Sequence, residues 1–358
     1  MSTPTNPGSR VMSAFFNGIA GLGRRHPEAR RRLQALDVVR DVPYGPLPEH
    51  RLDIYRPRDP NPRPAVLYLH GGAFQILSKD THWLMGLTFA RMGGTVFVPN
   101  YRLAPRHPFP AAIEDACRAA CWVQANAHRF GADVDRLVLA GESAGANLAC
   151  SVAVAASWRR PEPYAAEVFE AGLRPQLLFP ACGILQVTDS ERLLNPKLAP
   201  FTRTRLMEVS RGYLSGQVPP PHSLADPLCI LEAGQASAAE KGSESGGLPR
   251  LSAADAGPVA SSLCFATARR DAPERPWPPT FAACGTRDPL LEDTRRLGRA
   301  LQQRGVPHEV RIYPGEVHAF HAFIFRPAAR QCWRDHGAFW QRHMPQPLET
   351  PDLSSDAS

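Results

Sequence analysis

The sequence contains no run of about 18 consecutive apolar residues, the length that a membrane-spanning helix requires. A shorter apolar stretch at 11–23 is interrupted by Asn17 and by glycines, and its arginines follow it instead of preceding it, unlike a secretory signal. The eight cysteines lack the paired CxxC spacing of a zinc site, and several lie in apolar segments, where reduced thiols pack as small hydrophobes. These absences favour a cytoplasmic protein with no stable membrane insertion and no metal.

The excess of positive charge is also small. The 41 Lys and Arg residues and 34 Asp and Glu residues give a net charge of +7 over 358 residues. The one dense basic run is GRRHPEARRR at 23–32, and basic residues elsewhere are scattered. A single run of this kind is typical of a solvated helix face, so we expect no nucleic-acid partner.

Short apolar, β-branched runs alternate with helix-patterned segments from about residue 37 onward. This alternation predicts an α/β protein with a mainly parallel, eight-stranded sheet flanked by helices. The expected strands are 37–42, 51–57, 65–70, 95–101, 136–141, 176–182, 280–285 and 308–315. The expected helices between and after them are 110–127, 144–158, 290–305 and 328–344.

Three segments do not fit this alternation of strands and helices. Residues 1–35 read as one or two N-terminal cap helices, and 187–216 read as a second helical cap segment, both placed over the sheet domain at 36–358. Residues 232–275 are rich in Ala, Gly and Ser and then in Pro. A long segment of that composition predicts a flexible surface insertion instead of a further domain.

The stretch GESAG at 141–145 places a serine between two glycines, where a predicted strand meets a predicted helix. This context predicts a tight turn that exposes the Ser143 hydroxyl at the carboxyl end of the sheet, next to a helix N-terminus. Ser143 would then be a nucleophile, provided that a base accepts its proton. The simpler alternative is that Ser143 only caps the helix that follows.

A second glycine motif, HGGAF at 70–74, follows another predicted strand. Two consecutive glycines leave backbone N–H groups unshielded, which suits an oxyanion. We expect the amides of Gly71, Gly72 and Ala144 to form an oxyanion hole. A plain strand-to-loop turn is the alternative, although the pairing with GESAG argues against it.

The base and its partner are expected near the end of the chain, where CGTRDPLLED and YPGEVHAFHAF each follow a predicted strand. Asp288 and His318 lie just past those strand ends, where catalytic loops gather in such sheets. The order Ser143, Asp288, His318 is the order of α/β-hydrolases. His321 competes for the role of the base, and Glu292 and Asp293 compete for the role of the acid.

The segments YLHGGAF, NYRLAPRHPFPAAIEDA, GESAGANLA, GTRDPLLEDTRRL and YPGEVHAFHAF follow one another over most of the chain. In this order they resemble the hormone-sensitive-lipase-type branch of the α/β-hydrolases, which includes bacterial acetyl esterases and carboxylesterases. The resemblance implies an α/β-hydrolase fold with a small helical cap and a catalytic domain at 36–358. It assigns the triad to Ser143, Asp288 and His318 and the oxyanion donors to Gly71, Gly72 and Ala144.

The resemblance also implies a cytoplasmic hydrolase of short-chain or small aryl and alkyl esters that needs no cofactor. A homodimer formed through the last strand is a further expectation. The sequence departs from the branch at Ala73, where the usual HGGG motif has a third glycine. Two other functions stay open: an amidase or deacetylase acting on N-acyl substrates, and a non-catalytic ligand-binding protein on the same fold.

Overall fold

The computed structural model describes residues 7–59, 61–194, 200–233 and 272–344. Most of the predicted insertion at 232–275 therefore lies outside the described residues. No helix among the described segments is both long and apolar enough to cross a lipid bilayer.

Eight strands form one sheet in the order β1-β2-β4-β3-β5-β6-β7-β8. The pairs β1–β2 and β2–β4 are antiparallel, and all pairs from β4 to β8 are parallel. The sheet therefore confirms the prediction of a mainly parallel, eight-stranded α/β fold. The strands are β1 (Leu36–Pro43), β2 (Arg51–Pro57), β3 (Arg63–Leu69), β4 (Thr95–Pro99), β5 (Ala132–Glu142), β6 (Leu177–Ala181), β7 (Thr280–Gly285) and β8 (His308–Tyr313).

Ten α-helices occur in the described segments, and they include the four that the sequence predicts between and after the strands. The helices are α1 (Pro7–Arg25), α2 (Pro27–Gln34), α3 (Trp83–Arg91), α4 (Ala111–Asn126), α5 (Ala144–Ser157), α6 (Pro163–Glu170), α7 (Pro200–Leu214), α8 (Pro227–Ala233), α9 (Leu291–Gln303) and α10 (Pro327–His343).

The central strands are buried on both faces, which is why they read as continuous apolar runs. In β5, Leu137 and Leu139 join the larger hydrophobic cluster on one face, whereas Val138 joins the cluster on the other face. Each such side chain stabilises the fold by roughly 1.5–3 kcal/mol relative to an exposed one. The sheet is thus a rigid platform whose strand ends hold their loops in fixed positions.

Helix α5 is buried along its whole length, from Ala144 to Ser157. Its sequence, AGANLACSVAVAAS, consists mostly of small residues, which allow the helix to lie close against the sheet. Since α5 begins directly after β5 ends, the chain must turn sharply at residue 143. That turn brings the helix N-terminus to the carboxyl edge of the sheet.

Two further helical regions lie at the start of the chain and between β6 and β7. Helices α1 and α2 occupy 7–34, within the N-terminal segment that the sequence assigns to a cap. In the second segment, a 3₁₀ turn at Glu191–Leu193 precedes α7. Helix α7 contacts the HGGAF loop directly, because the rings of Phe74 and Tyr213 stack with their centroids 3.8 Å apart.

Candidate active site

Ser143 occupies the turn between β5 and α5 in a strained conformation with a positive φ, at φ 54° and ψ −117°. A residue with a Cβ is rarely found in this region, and when it is, the surrounding structure has to hold it there. Ser143 stands at the N-cap position of α5, but its side chain makes no capping hydrogen bond. The helix-cap alternative is therefore wrong, and the half-buried hydroxyl is left for another role.

The two glycines of GESAG are required by close backbone packing at this turn. A Cβ added to Gly145 would lie 2.0 Å from the Leu69 carbonyl oxygen, and one added to Gly141 would lie 2.3 Å from the Gly145 carbonyl oxygen. Both obstacles are backbone atoms, which cannot rotate away as a side chain can. The glycines thus allow β3, β5 and α5 to meet directly beneath Ser143.

The HGGAF loop leaves β3 next to this turn and contains a second conformation that requires glycine. Gly72 has φ 120°, and a Cβ there would lie 2.0 Å from the Ile76 carbonyl oxygen. The Gly72 carbonyl accepts hydrogen bonds from the amides of Gln75 and Ile76, at 2.9 and 3.0 Å. Among the residues that the structure describes, no acceptor pairs with the amide N–H of Gly71, Gly72 or Ala144.

His70 anchors that loop as a neutral side chain. Its Nδ1 lies 2.7 Å from the Gly71 carbonyl oxygen, and its ring stacks on Tyr101 with centroids 4.2 Å apart. Tyr101 in turn donates a hydrogen bond of 2.7 Å to the His70 carbonyl. Burial lowers the pKa of His70 to about 3, so the ring stays uncharged and holds the Gly71 peptide in one orientation.

Asp288 and His318 are brought together by the loops after β7 and β8. His318 Nδ1 lies 2.9 Å from Asp288 Oδ2 and 3.1 Å from Oδ1, and the carboxylate is fully buried. Burial by itself lowers the pKa of His318, but the negative charge of Asp288 outweighs it and holds that pKa well above the usual value. The pair therefore has the arrangement of an imidazole base, His318, that is oriented by a carboxylate, Asp288.

Ser143 is connected to this pair through the end of β6. Its amide donates a hydrogen bond of 2.9 Å to the Ala181 carbonyl, and the next residue, Cys182, contacts His318. Within the described segments the Ser143 hydroxyl makes no hydrogen bond, to His318 or to any other residue. The structure thus joins Asp288 to His318 directly and ties the Ser143 backbone to the end of β6, next to the residue that contacts His318. Catalytic hydrogen bonds are often long in the absence of substrate.

The chain matches the family of proteins with the alpha/beta hydrolase fold over residues 66–240 and 250–322. The chain belongs to that family. It is 30% identical to the esterase LipI of Mycobacterium tuberculosis over 301 residues, which cover 82% of this chain and 76% of the relative. It is 27% identical to an acetyl esterase of Salmonella choleraesuis over 309 residues, 86% of this chain and 79% of the relative. These relatives assign the α/β-hydrolase to the hormone-sensitive-lipase-type branch.

Solved structures agree on the fold. The esterase LipW from Mycobacterium marinum superposes with a TM-score of 0.64 at 24% identity, covering 96% of this chain and 97% of the other. The carboxylesterase EstE1, cloned from a metagenomic library, superposes with a TM-score of 0.67 at 22% identity, covering 97% and 100%. At this level of identity the likeness shows the α/β-hydrolase fold alone.

The branch motif YRLAP…AAIED has a structural role in this α/β-hydrolase. The Arg102 guanidinium donates hydrogen bonds of 2.8–3.0 Å to the fully buried Asp115 carboxylate, which also accepts one of 2.8 Å from the Arg102 amide. His50 Nε2 lies 2.9 Å from the same carboxylate. The motif therefore ties the loop after β4 to α4, close behind the HGGAF loop.

Ala73 stands where the branch usually has the third glycine of HGGG. Its φ of 56° lies in the left-handed region, which costs an alanine roughly 1–2 kcal/mol. Phe74 follows with φ 59° and is completely buried against Tyr213 of α7. The packing of Phe74 supplies the constraint that keeps this strained segment in place.

The competing acid and base residues have other partners. Glu292 is exposed and pairs with Arg299, whereas Asp293 is fully buried and accepts hydrogen bonds from Arg192 and from the Leu185 amide. His321 has its Nε2 2.8 Å from Glu142 Oε2.

Glu142, directly before Ser143, belongs to a buried cluster that the sequence did not reveal. Its Oε1 lies 2.8 Å from His82 Nε2, while its Oε2 is close to His321. Burial raises the pKa of Glu142, but the two imidazoles outweigh burial and hold that pKa well below its usual range. The carboxylate therefore links α3, the serine turn and the segment after His318. Only tertiary contacts reveal this, since the three residues are far apart in sequence.

A cavity of about 170 Å³ lies beside the HGGAF loop. Its wall includes Ile76 and Leu77, which follow that loop in the chain, Tyr101, and Ser13 and Asn17 from α1. The N-terminal helix α1 thus contributes polar side chains to a space beside the segment that follows HGGAF.

Proposed function

We propose that this α/β-hydrolase is a serine carboxylic-ester hydrolase that acts through an acyl-enzyme on short-chain or small aryl and alkyl esters. The observation that carries the proposal is the strained turn at Ser143, whose hydroxyl makes no capping bond to the helix that it precedes. The family relatives named as esterases support the same reaction class. No cofactor enters the reaction, because the triad itself supplies the nucleophile, the base and the acid.

In the proposed reaction, Ser143 Oγ attacks the ester carbonyl carbon while its proton passes to His318. The tetrahedral intermediate collapses when the C–O bond to the alcohol breaks, and His318 returns the proton to the leaving alkoxide. Water then attacks the acyl-enzyme with His318 again as the base, which releases the acid and restores Ser143. Asp288 holds the imidazole in the required tautomer and stabilises its charged form.

We assign the oxyanion hole to the amides of Gly71, Gly72 and Ala144. This assignment is supported by their position in two loops that meet at the serine turn, and by the absence of any acceptor for these N–H groups within the described segments. Unpaired, fixed donors cost no reorganisation when charge develops on the substrate oxygen. Each such donor contributes roughly 3 kcal/mol to transition-state stabilisation.

The remaining assignments concern organisation. We propose that residues 1–35 and 187–216 form the cap over the catalytic domain at 36–358, because α1 lines the cavity and α7 packs on the HGGAF loop. We propose a cytoplasmic location, since the seven cysteines among the described residues are all unpaired. We also propose a homodimer formed through β8, which lies at the edge of the sheet. Size-exclusion chromatography with light scattering tests the dimer.

Turnover of p-nitrophenyl acetate and butyrate tests the reaction. The Ser143→Ala variant should lose nearly all activity while keeping the melting temperature of the parent protein. Ser157→Ala is the matched control, because Ser157 is the last residue of the same helix, far from the turn. Activity that survives Ser143→Ala unchanged would exclude the mechanism. A matched anilide that reacts faster than the ester would favour the amidase alternative.

A further inference from the structure

A thiol lies against the Asp288–His318 pair. Cys182, the residue after β6, is buried and has a positive φ of 39°. Its Sγ, a carboxylate oxygen of Asp288 and a ring nitrogen of His318 all lie within 4.8 Å of one another. The esterase reaction proposed above gives Cys182 no role.

Thiolate, imidazole and carboxylate are the side chains that bind zinc. Zinc–sulfur, zinc–nitrogen and zinc–oxygen bonds are about 2.3, 2.1 and 2.1 Å long, so ligand atoms around one tetrahedral ion lie roughly 3.5 Å apart. No pair of these atoms would need to close by more than about 1.3 Å, and Asp288 Oδ2 and His318 Nδ1, which are 2.9 Å apart, would need to separate by about 0.6 Å. A second thiol, Cys284 on β7, packs against Cys182 and faces Asp288, which makes the surroundings soft and polarisable.

The site is also accessible from solvent and carries compensating charge. The His318 side chain is 37% exposed, whereas the Asp288 carboxylate is fully buried. A divalent cation could thus enter at His318 and be neutralised by Asp288 and by the Cys182 thiolate. Three protein ligands leave the fourth position of zinc for a water molecule, as in open zinc sites.

We propose that Cys182, Asp288 and His318 form an inhibitory site for a soft divalent cation, of which Zn²⁺ is the probe. On binding, the Cys182 thiol releases its proton to solvent, and His318 ligates the metal through the lone pair of a neutral imidazole nitrogen. The metal occupies the space between His318 and Asp288, so the imidazole can no longer accept the Ser143 proton. Chelation of the ion restores the original thiol and imidazole. The inhibitory effect depends on the proposed esterase function, whereas binding does not.

Competition with a chromophoric zinc chelator measures binding directly on the full chain. The Ser143→Ala variant should bind one equivalent of Zn²⁺ with the affinity of the parent protein, because Ser143 is not a ligand. Cys182→Ala and Cys182→Ser should each bind Zn²⁺ at least about tenfold more weakly. Loss of a direct ligand should reduce zinc affinity by more than loss of a group that only contacts a ligand, which itself costs about tenfold or more. Cys121→Ala is the matched control, since Cys121 is a half-buried thiol on α4, away from the site.

In the parent protein, Zn²⁺ should inhibit ester turnover over the concentration range in which it binds, and EDTA should reverse the inhibition. Equal zinc affinity in the parent, Cys182→Ala and Cys182→Ser would overturn the proposal. If the cysteine variants do not fold, His318→Ala provides the same test, because it must also lose the site. Tight, Cys182-dependent zinc binding by a protein without esterase activity would support the site and refute the proposed function.

Discussion

Replacement of Gly145 by alanine tests the argument that backbone contact beneath Ser143 positions the site. The new Cβ would lie 2.0 Å from the Leu69 carbonyl oxygen and 2.6 Å from the His70 carbonyl oxygen. An ordinary carbon contact is about 3.5 Å, so the helix start or the β3 end must move by roughly 1.5 Å. Overpacking of this kind costs about 1–3 kcal/mol of unfolding free energy.

The effect on catalysis should be larger than the effect on stability. A displacement of about 1 Å in an active site can reduce the rate roughly 100-fold, and Gly145 is two residues from Ser143 and one from Ala144. We therefore expect kcat/KM for p-nitrophenyl butyrate to fall by about 100-fold or more in Gly145→Ala. Unfolding in urea measures the accompanying loss of stability.

The control for this substitution is Gly337→Ala in α10, where an added Cβ meets nothing within 4 Å. Because alanine favours a helix by about 1 kcal/mol over glycine, this variant should be as stable as the parent or more so, with unchanged turnover. If Gly145→Ala behaves like Gly337→Ala in both assays, the account of close packing at the serine turn is wrong.

Three further predictions concern charged groups. His318 must be neutral to accept a proton, and Asp288 holds the pKa of His318 above that of an ordinary imidazole. Activity should therefore fall as the pH drops below this raised pKa, and a pH–rate profile will show it. Asp288→Asn removes that charge, so kcat should fall by roughly 10⁴ and the acid limb should move to lower pH; an unmoved limb would contradict the assignment. Arg102→Ala leaves Asp115 buried without its main partner, which should lower the unfolding free energy in urea by about 3–5 kcal/mol, and a loss below 1 kcal/mol would exclude that role.

The sheet could be predicted from sequence because its strands are buried on both faces and therefore stand out as apolar runs. Helix α3, WLMGLTFAR, was missed because it is apolar on most sides and lacks the polar stripe by which a surface helix is recognised. Helices α6 and α8 were missed because each spans only about two turns, with eight and seven residues. Short helices are specified by the tertiary packing around them more than by their own periodicity.

The part of the candidate site that could be predicted from sequence consists of residues that directly follow predicted strands. Ser143, Asp288 and His318 each follow a strand, and the ends of parallel strands converge at one edge of the sheet. The proximity of Cys182 to His318 was not predictable, because it depends on the turn that the chain makes after β6. Nor was the contact of Glu142 with His82 and His321, which joins segments separated by 60 or more residues.

Labelling with diethyl p-nitrophenyl phosphate, followed by peptide mass spectrometry, tests the assignment of the nucleophile most directly. This reagent phosphorylates a serine only where the hydroxyl is activated and an oxyanion is stabilised. We predict one diethyl phosphate adduct per chain, located on Ser143, with loss of ester turnover in proportion to labelling. An adduct on any other residue, or full labelling that leaves turnover intact, would contradict the assignment of Ser143.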